Sequence, residues 1–317
     1  MFPIKEEKNK QPIDDSDLGN IIEESITEES RLDKKYSKSS LYKDAWRRLV
    51  RNKLAMIGLA IVIIMALIAI LAPYIAPYDP IYREKTASQE GPSAAHWFGT
   101  DILGRDIFSR VLYGTQISML VGVVAVSISL AIGLFLGALS GFFSGVPDAI
   151  IMRIADIFFA FPYILGAIAI MTILGPGVLN IFIAIGILGW ASVARLFRSS
   201  ILSIKEKEYI EAARALGASN ARIIMKHILP NSFAPLIVYS TMNVGTAIIV
   251  EAALSFLGLG VQPPTPSWGK MLSESLSYIN TAPWLMFFPG LAILITVLGF
   301  VLLGDGLRDA LDPRLKR

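Results

Sequence analysis

Charged side chains inside apolar runs are where this chain could do chemistry, and there are few of them. Glu251 stands among uncharged residues in a run from Ala234 to Leu257. An acid at that depth in hydrocarbon is costly, so it either faces a polar path or pairs with a cation. Arg105 and Arg110 are the cations available to it. Arg153 and Asp156 lie near the start of another run, at a spacing that lets them pair on one helix face. His96 and His227 are the only two histidines, and there is no cysteine. Those counts exclude disulfides, thiol catalysis, zinc-thiolate centres and a His-rich metal site built from this chain alone. A hydrolase would need a nucleophile and base at membrane depth, and both histidines fall in loops. The Gly269-Lys270 pair is followed by Met271, and Pro264 stands where a P-loop has its first glycine, so no ATP site is expected. The chain is read as binding no cofactor and catalysing no reaction of its own.

The elements that carry these residues are set by the distribution of charge. Of the 317 residues, 54% are hydrophobic and 17% charged, where a soluble domain has about 25% charged residues. The missing charge is missing from long blocks. Roughly 20 apolar residues cross a bilayer core, and six windows reach that length. They are Leu54–Tyr74, Ile117–Leu139, a third from about Ile150, Leu179–Phe197, Ala234–Leu257 and Trp284–Leu303. Gly175-Pro176-Gly177 divides the third from the fourth as a tight turn. Gly122, Gly133 and Gly137 in the second allow close helix packing. The Pro-rich stretch Gly258–Pro283 reads as a loop. Trp97, Trp268 and Trp284 are expected in interfacial belts. The fold class is all-α, an integral membrane protein of about six spans.

Charge also orients the chain. Residues 1–33 carry a net −6, which leaves +9 on the remainder. In a membrane protein that excess is a topology signal rather than a sign of nucleic acid, and none is expected as a partner. Basic residues gather before the first span, within Ser199–Asn231 and after the sixth, which places both termini and Ser199–Asn231 in the cytoplasm. Residues 1–40 read as a disordered acidic tail, and the acidic start has no signal-peptide pattern. A short basic helix, Leu41–Asn52, either lies at the membrane surface or extends the first span.

Ser199–Asn231 is the segment that separates one membrane function from another. Ser203 is expected to cap a helix Ile204–Leu216. Gly217 then stops it with a left-handed turn. Ser219 caps a second helix, Asn220–Ile228, which Pro230 ends. Two short helices meeting at a glycine elbow make a surface for docking into a groove on a soluble partner.

Glu211-Ala212-Ala213, followed by Gly217 and then Leu229-Pro230, resembles the EAA loop of membrane subunits of binding-protein-dependent ABC importers. His227 stands where that pattern has Ile. The stretch His96-Trp97-Phe98-Gly99-Thr100-Asp101, with Gly104-Arg105-Asp106 and Ser109-Arg110, is similar to the C-type permeases of dipeptide and oligopeptide importers. So are Arg153, Asp156 and Pro162, and so is Glu251-Ala252-Ala253-Leu254-Ser255-Phe256-Leu257-Gly258-Leu259-Gly260 with Pro263-Pro264 and Trp268-Gly269. The likeness covers about Lys43–Asp312 and includes the nickel branch.

The resemblance implies a type I ABC importer permease fold in a bacterial or archaeal cell membrane. It implies four kinds of neighbour: a second homologous permease subunit, two ATP-binding subunits, an extracytoplasmic binding protein and membrane lipid. Glu211, Ala212, Ala213, Gly217, Leu229 and Pro230 would then couple the spans to the ATPases, with Glu251, Arg153 and Asp156 as path residues or structural ion pairs. The expected division is an acidic tail 1–40, a basic juxtamembrane helix 41–53, a first span with an extracytoplasmic segment 54–115, a permease core 116–307 holding the loop 199–231, and a basic tail 308–317. Peptides are the expected cargo, with nickel or another small solute as the alternative. An ion-gradient-driven secondary transporter is the rival class. It would need ion ligands at mid-membrane and inverted repeats, and the chain offers one such acid and no evident repeat.

Overall fold

A computed structural model describes residues 41–84 and 86–312. The acidic segment 1–40 and the last basic residues, 313–317, lie outside the described residues. The chain divides into two units, 1–48 and 49–317, and the long apolar helices all belong to the second. Helix α1, Leu41–Arg51, is separated by Asn52 from α2, Lys53–Ile75. The Asn52 side chain accepts from the Ala55 amide at 3.2 Å and so caps α2, which satisfies one of the donors a helix start leaves free.

Helix α3 runs from Ile107 to Phe143. At 37 residues it is about 55 Å long, well beyond a ~30 Å hydrocarbon core. It begins at Ile107 rather than Ile117 because its first turns bury Ser109, Arg110 and Thr115 against protein. A hydropathy window discounts polar residues whatever they touch. Asp106 caps this start, its carboxylate accepting from the Ser109 amide at 2.7 Å.

The third span is broken. Helices α4, Gly145–Ala160, and α5, Tyr163–Leu174, meet at 95°. Pro162 has no N–H to donate and forces the preceding residue out of the helical region; Phe161 is extended, with φ −102° and ψ 139°. The single third helix expected from Ile150 is therefore two, and it starts earlier. Asn180 closes the end of α5 by donating to the Leu174 and Gly175 carbonyls at 2.9 and 3.0 Å.

Helix α6, Val178–Ile204, packs along α3 through Gly133, Gly137 and Gly141. A Cβ on Gly133 would lie 2.4 Å from Val193, and one on Gly137 2.8 Å from the Ala194 carbonyl oxygen. Only a row of small residues lets the two backbones approach so closely. After α6 come α7, Glu208–Ala215, and α8, Asn220–Ile223. A π-helical turn, Ile224–Ile228, and a last turn, Leu229–Asn231, lead to α9, Phe233–Phe256. Helix α10, Trp268–Ser275, occupies the stretch read as a loop, and α11, Trp284–Leu311, completes the chain. Among the described residues five helices are long and apolar enough to cross a membrane, and the bent pair α4–α5 would be a sixth if it forms one broken span. The buried core joins α2, α3, α5, α6, α9, α10 and α11 around Val121, Ala125, Ile185, Ile248 and Leu254.

Candidate coupling elbow and buried acid

The elbow departs from its expected form in its joints. Helix α6 continues through Ser203 to Ile204, so Ser203 is no cap, and the next helix begins at Glu208. That helix ends at Ala215, with Leu216 as its C-cap. Gly217 follows with φ +79°, donating to the Arg214 carbonyl at 2.9 Å while Ala218 donates to Ala213 at 3.0 Å. These two bonds are the Schellman pattern, in which a glycine after the helix end lets the chain turn left-handed. Ser219 caps α8 as expected, accepting from the Arg222 amide. Pro230 does not end the second helix. The turn before it widens to a π-helix and the chain passes on to α9 almost without pause, an adjustment that absorbs a residue with no N–H.

One face of this elbow is anchored. Ile210, Ile223 and Ile228 are fully buried against Val193, Phe197, Ile201 and Leu236 of the spanning helices. The other face is free. Glu211 and Ala212 are exposed, and beside them Leu216 and Met225 are 88% and 63% exposed. Ala213 is half-buried, Leu229 packs toward the anchoring cluster and Pro230 points outward. Sequence reading singled out Glu211, Ala212 and Gly217 but passed over Leu216 and Met225. Their signal was available, since the buried Ile positions leave both on the opposite side.

The elbow is also fastened to the α3–α4 junction. Lys205 donates to Ser144 Oγ at 2.8 Å and to the Gly141 carbonyl at 3.3 Å. Arg198 grips Asp148 with two bonds of 2.6 Å, and Ser140 donates to the same carboxylate. A planar guanidinium on a carboxylate fixes direction as well as distance. Asp156 pairs with Arg195 of α6 at 2.7 Å rather than with Arg153. The expected pairing at i, i+3 is therefore corrected. Arg195 also stacks over Phe159 at 4.2 Å, and a partner on the packed neighbouring helix wins over one on the same helix.

Glu251 lies toward the other end of the bundle and is fully buried. It accepts from Ser118 Oγ of α3 at 3.1 Å and from Ser255 Oγ at 2.7 Å. Ser255 Oγ in turn accepts from the Val261 amide at 3.0 Å. The acid thus joins α3, α9 and the lead into α10 through hydroxyls. The expected pairing with Arg105 or Arg110 is not made. Arg105 binds Asp101 at 2.5 Å and Glu274 at 2.9 Å, and Arg110 lies 3.7 and 3.6 Å from the same two acids. Trp268 is not in a belt. It is fully buried, its indole N–H donating to the Val111 carbonyl at 3.0 Å. Gly114 makes the space, since a Cβ there would sit 2.8 Å from the ring.

Five long apolar helices and one bent pair, with an elbow between α6 and α9, agree with what the comparisons find. Residues 133–317 match the family "binding-protein-dependent transport system inner membrane component", and residues 40–92 match the "N-terminal TM domain of oligopeptide transport permease C". The chain belongs to this family of membrane permease subunits, multi-pass in the cell membrane. It is 50% identical to the dipeptide transport system permease protein DppC of Alkalihalophilus pseudofirmus, over 89% of this chain and 92% of that one. It is 51% identical to the glutathione transport system permease protein GsiD of Escherichia coli O6:K15:H31, over 86% and 90%. The fold is shared with the inward-facing MetNI methionine ABC transporter, with a TM-score of 0.54 and 20% identity over 65% of this chain and 98% of the other.

Proposed function

We propose that this chain is the permease subunit of an ATP-driven importer of peptides, and that the elbow is its coupling site. The observation that carries the reading is the elbow's two-sidedness: Ile210, Ile223 and Ile228 tie it to the bundle while Glu211, Leu216 and Met225 stand free. A free surface fixed to the ends of two spanning helices passes any displacement of its partner into the bundle. Two ATP-binding subunits supply that displacement, because this chain has no nucleotide motif. A second homologous permease faces it, and an extracytoplasmic binding protein delivers the cargo. Basic residues around the elbow and before α2 support a cytoplasmic elbow and cytoplasmic termini. The dipeptide and glutathione names of the relatives support peptides over nickel or another solute.

The test is purification of the tagged chain from its native membrane in mild detergent, followed by peptide uptake in vesicles with the matching binding protein. Co-purifying ATPases and ATP-dependent uptake are expected. A lone protein that takes up solute on an ion gradient would overturn the assignment.

A further inference from the structure

We infer that a cleft of uncharged polar side chains between α3, α5, α6 and α9 lines the route of the solute and recognises amide groups rather than charge. This rests on the permease reading above and adds the residues that meet the cargo. Tyr239, Asn243 and Thr246 follow one another at helical spacing on a single face of α9. Tyr163 of α5, Ser129 of α3 and Gly189 of α6 join them around a cavity of about 20 Å³, with Val126, Ile185 and Ala247 as its apolar wall. That is space for one water, so the walls stand nearly closed. The Tyr163 hydroxyl donates to the Ile185 carbonyl at 3.0 Å, and Asn243 Nδ2 donates to the Tyr239 carbonyl at 2.8 Å. The Tyr239 hydroxyl reaches the side chains of Ser192 and Asn243.

Two independent features keep lipid away from this face. The first is the polar stripe itself: Thr246 and Tyr163 are exposed on spanning helices, where hydrogen-bonding groups are placed toward protein or water. The second is the break beside it. Phe161 and Pro162 are exposed at the 95° bend, and interrupted backbone at membrane depth is tolerated only where it is covered by protein or lines a watery cavity. An adjacent groove of about 300 Å³ lined by Ile157, Phe161, Leu165 and Leu188 is almost wholly apolar and suits a protein or acyl-chain neighbour. The cleft is concave and hydrogen-bonding, and suits a passing solute.

None of its walls carries a charge. Tyrosine and threonine hydroxyls and an asparagine amide both donate and accept. They complement the N–H and C=O groups that every peptide repeats, and they are indifferent to the charge of its side chains.

The absence of cysteine allows a direct test on the assembled importer. Asn243→Cys and Thr246→Cys are compared with Leu294→Cys, a control on the exposed apolar face of α11. Each is treated with a small hydrophilic methanethiosulfonate reagent during ATP turnover. The expected result is loss of the free thiol at positions 243 and 246, retention at 294, and slower modification when peptide and binding protein are added. Thiols at 243 and 246 as unreactive as the control, in vesicles that import peptide, would overturn the cleft and leave the importer standing. Modification that peptide does not slow would overturn amide recognition. Absence of ATP-dependent peptide uptake by the unsubstituted complex would instead count against the function proposed above.

Discussion

Glu251 makes its case one oxygen at a time. Each carboxylate oxygen takes a serine hydroxyl, and the serines come from different parts of the chain. Glu251→Leu leaves those donors without their acceptor and should lower stability by about 1–3 kcal/mol. Glu251→Gln keeps an acceptor oxygen and should cost less. Thermal unfolding of the detergent-purified complex reads both. Unchanged melting of both variants with uptake lost would return the acid to the solute path. Arg198 and Asp148 can be resolved in the same way. Lysine cannot reproduce the two-pronged bond, so Arg198→Lys should weaken the tie between α6 and α4. The pair is partly exposed, which screens it, and a double-mutant cycle with Asp148→Asn should return a coupling of about 1 kcal/mol. A coupling of zero would remove this contact from the link between elbow and bundle.

At the scale of elements, Gly217 is the position whose backbone no other residue shares easily. With φ at +79°, valine there costs about 1–3 kcal/mol through its backbone alone, since no heavy atom beyond its own chain neighbours lies within 4 Å of where its Cβ would sit. The strain is relieved by re-angling α7 against α8, outside the spans. Gly217→Val should therefore reach the membrane at near-normal level, lose ATPase association and fail in uptake. Gly217→Asn should be milder, because asparagine tolerates the left-handed region. Blue-native electrophoresis alongside uptake measures this, and wild-type assembly and import by the valine variant would sink the coupling role.

The glycine was legible because φ is a property of one residue. The lengths of α2 and α9 were legible because lipid imposes them on composition. The bend at Pro162 was visible as a residue but not as an angle, since a proline in a spanning helix can kink it slightly or break it. Helix α10 was hidden among prolines. Its first residue, Trp268, is held in a pocket at Gly114, and that pocket is made by a distant part of the chain. Asp156 was given the wrong partner because sequence spacing shows neighbours on one helix and hides those on the next.

For the whole molecule, the distribution of charge predicts a direction across the membrane. The basic-inside argument sets the segment between α2 and α3 outside and residues 1–40 inside. Ser88→Cys, exposed in that segment, should react with an impermeant thiol reagent on intact cells. Lys38→Cys, in the stretch outside the described residues, should react only after the membrane is opened. The reverse order would turn the elbow away from any cytoplasmic ATPase and undo the proposed mechanism. With correct order, the fastenings at opposite ends of α3 take on separate duties. Lys205 and Arg198 hold the end near the elbow, while Glu251 and Trp268 hold the other.

Trp268 gives that far end a voice of its own. Its indole is sealed from solvent and donates its one proton to a backbone carbonyl, whereas the Trp97 ring is largely in the open. An indole in such a dry seat fluoresces toward the blue, and admitting water shifts it red. With the other four tryptophans replaced by phenylalanine, the colour of this single ring would report, without any added label, each moment at which α10 lifts from α3.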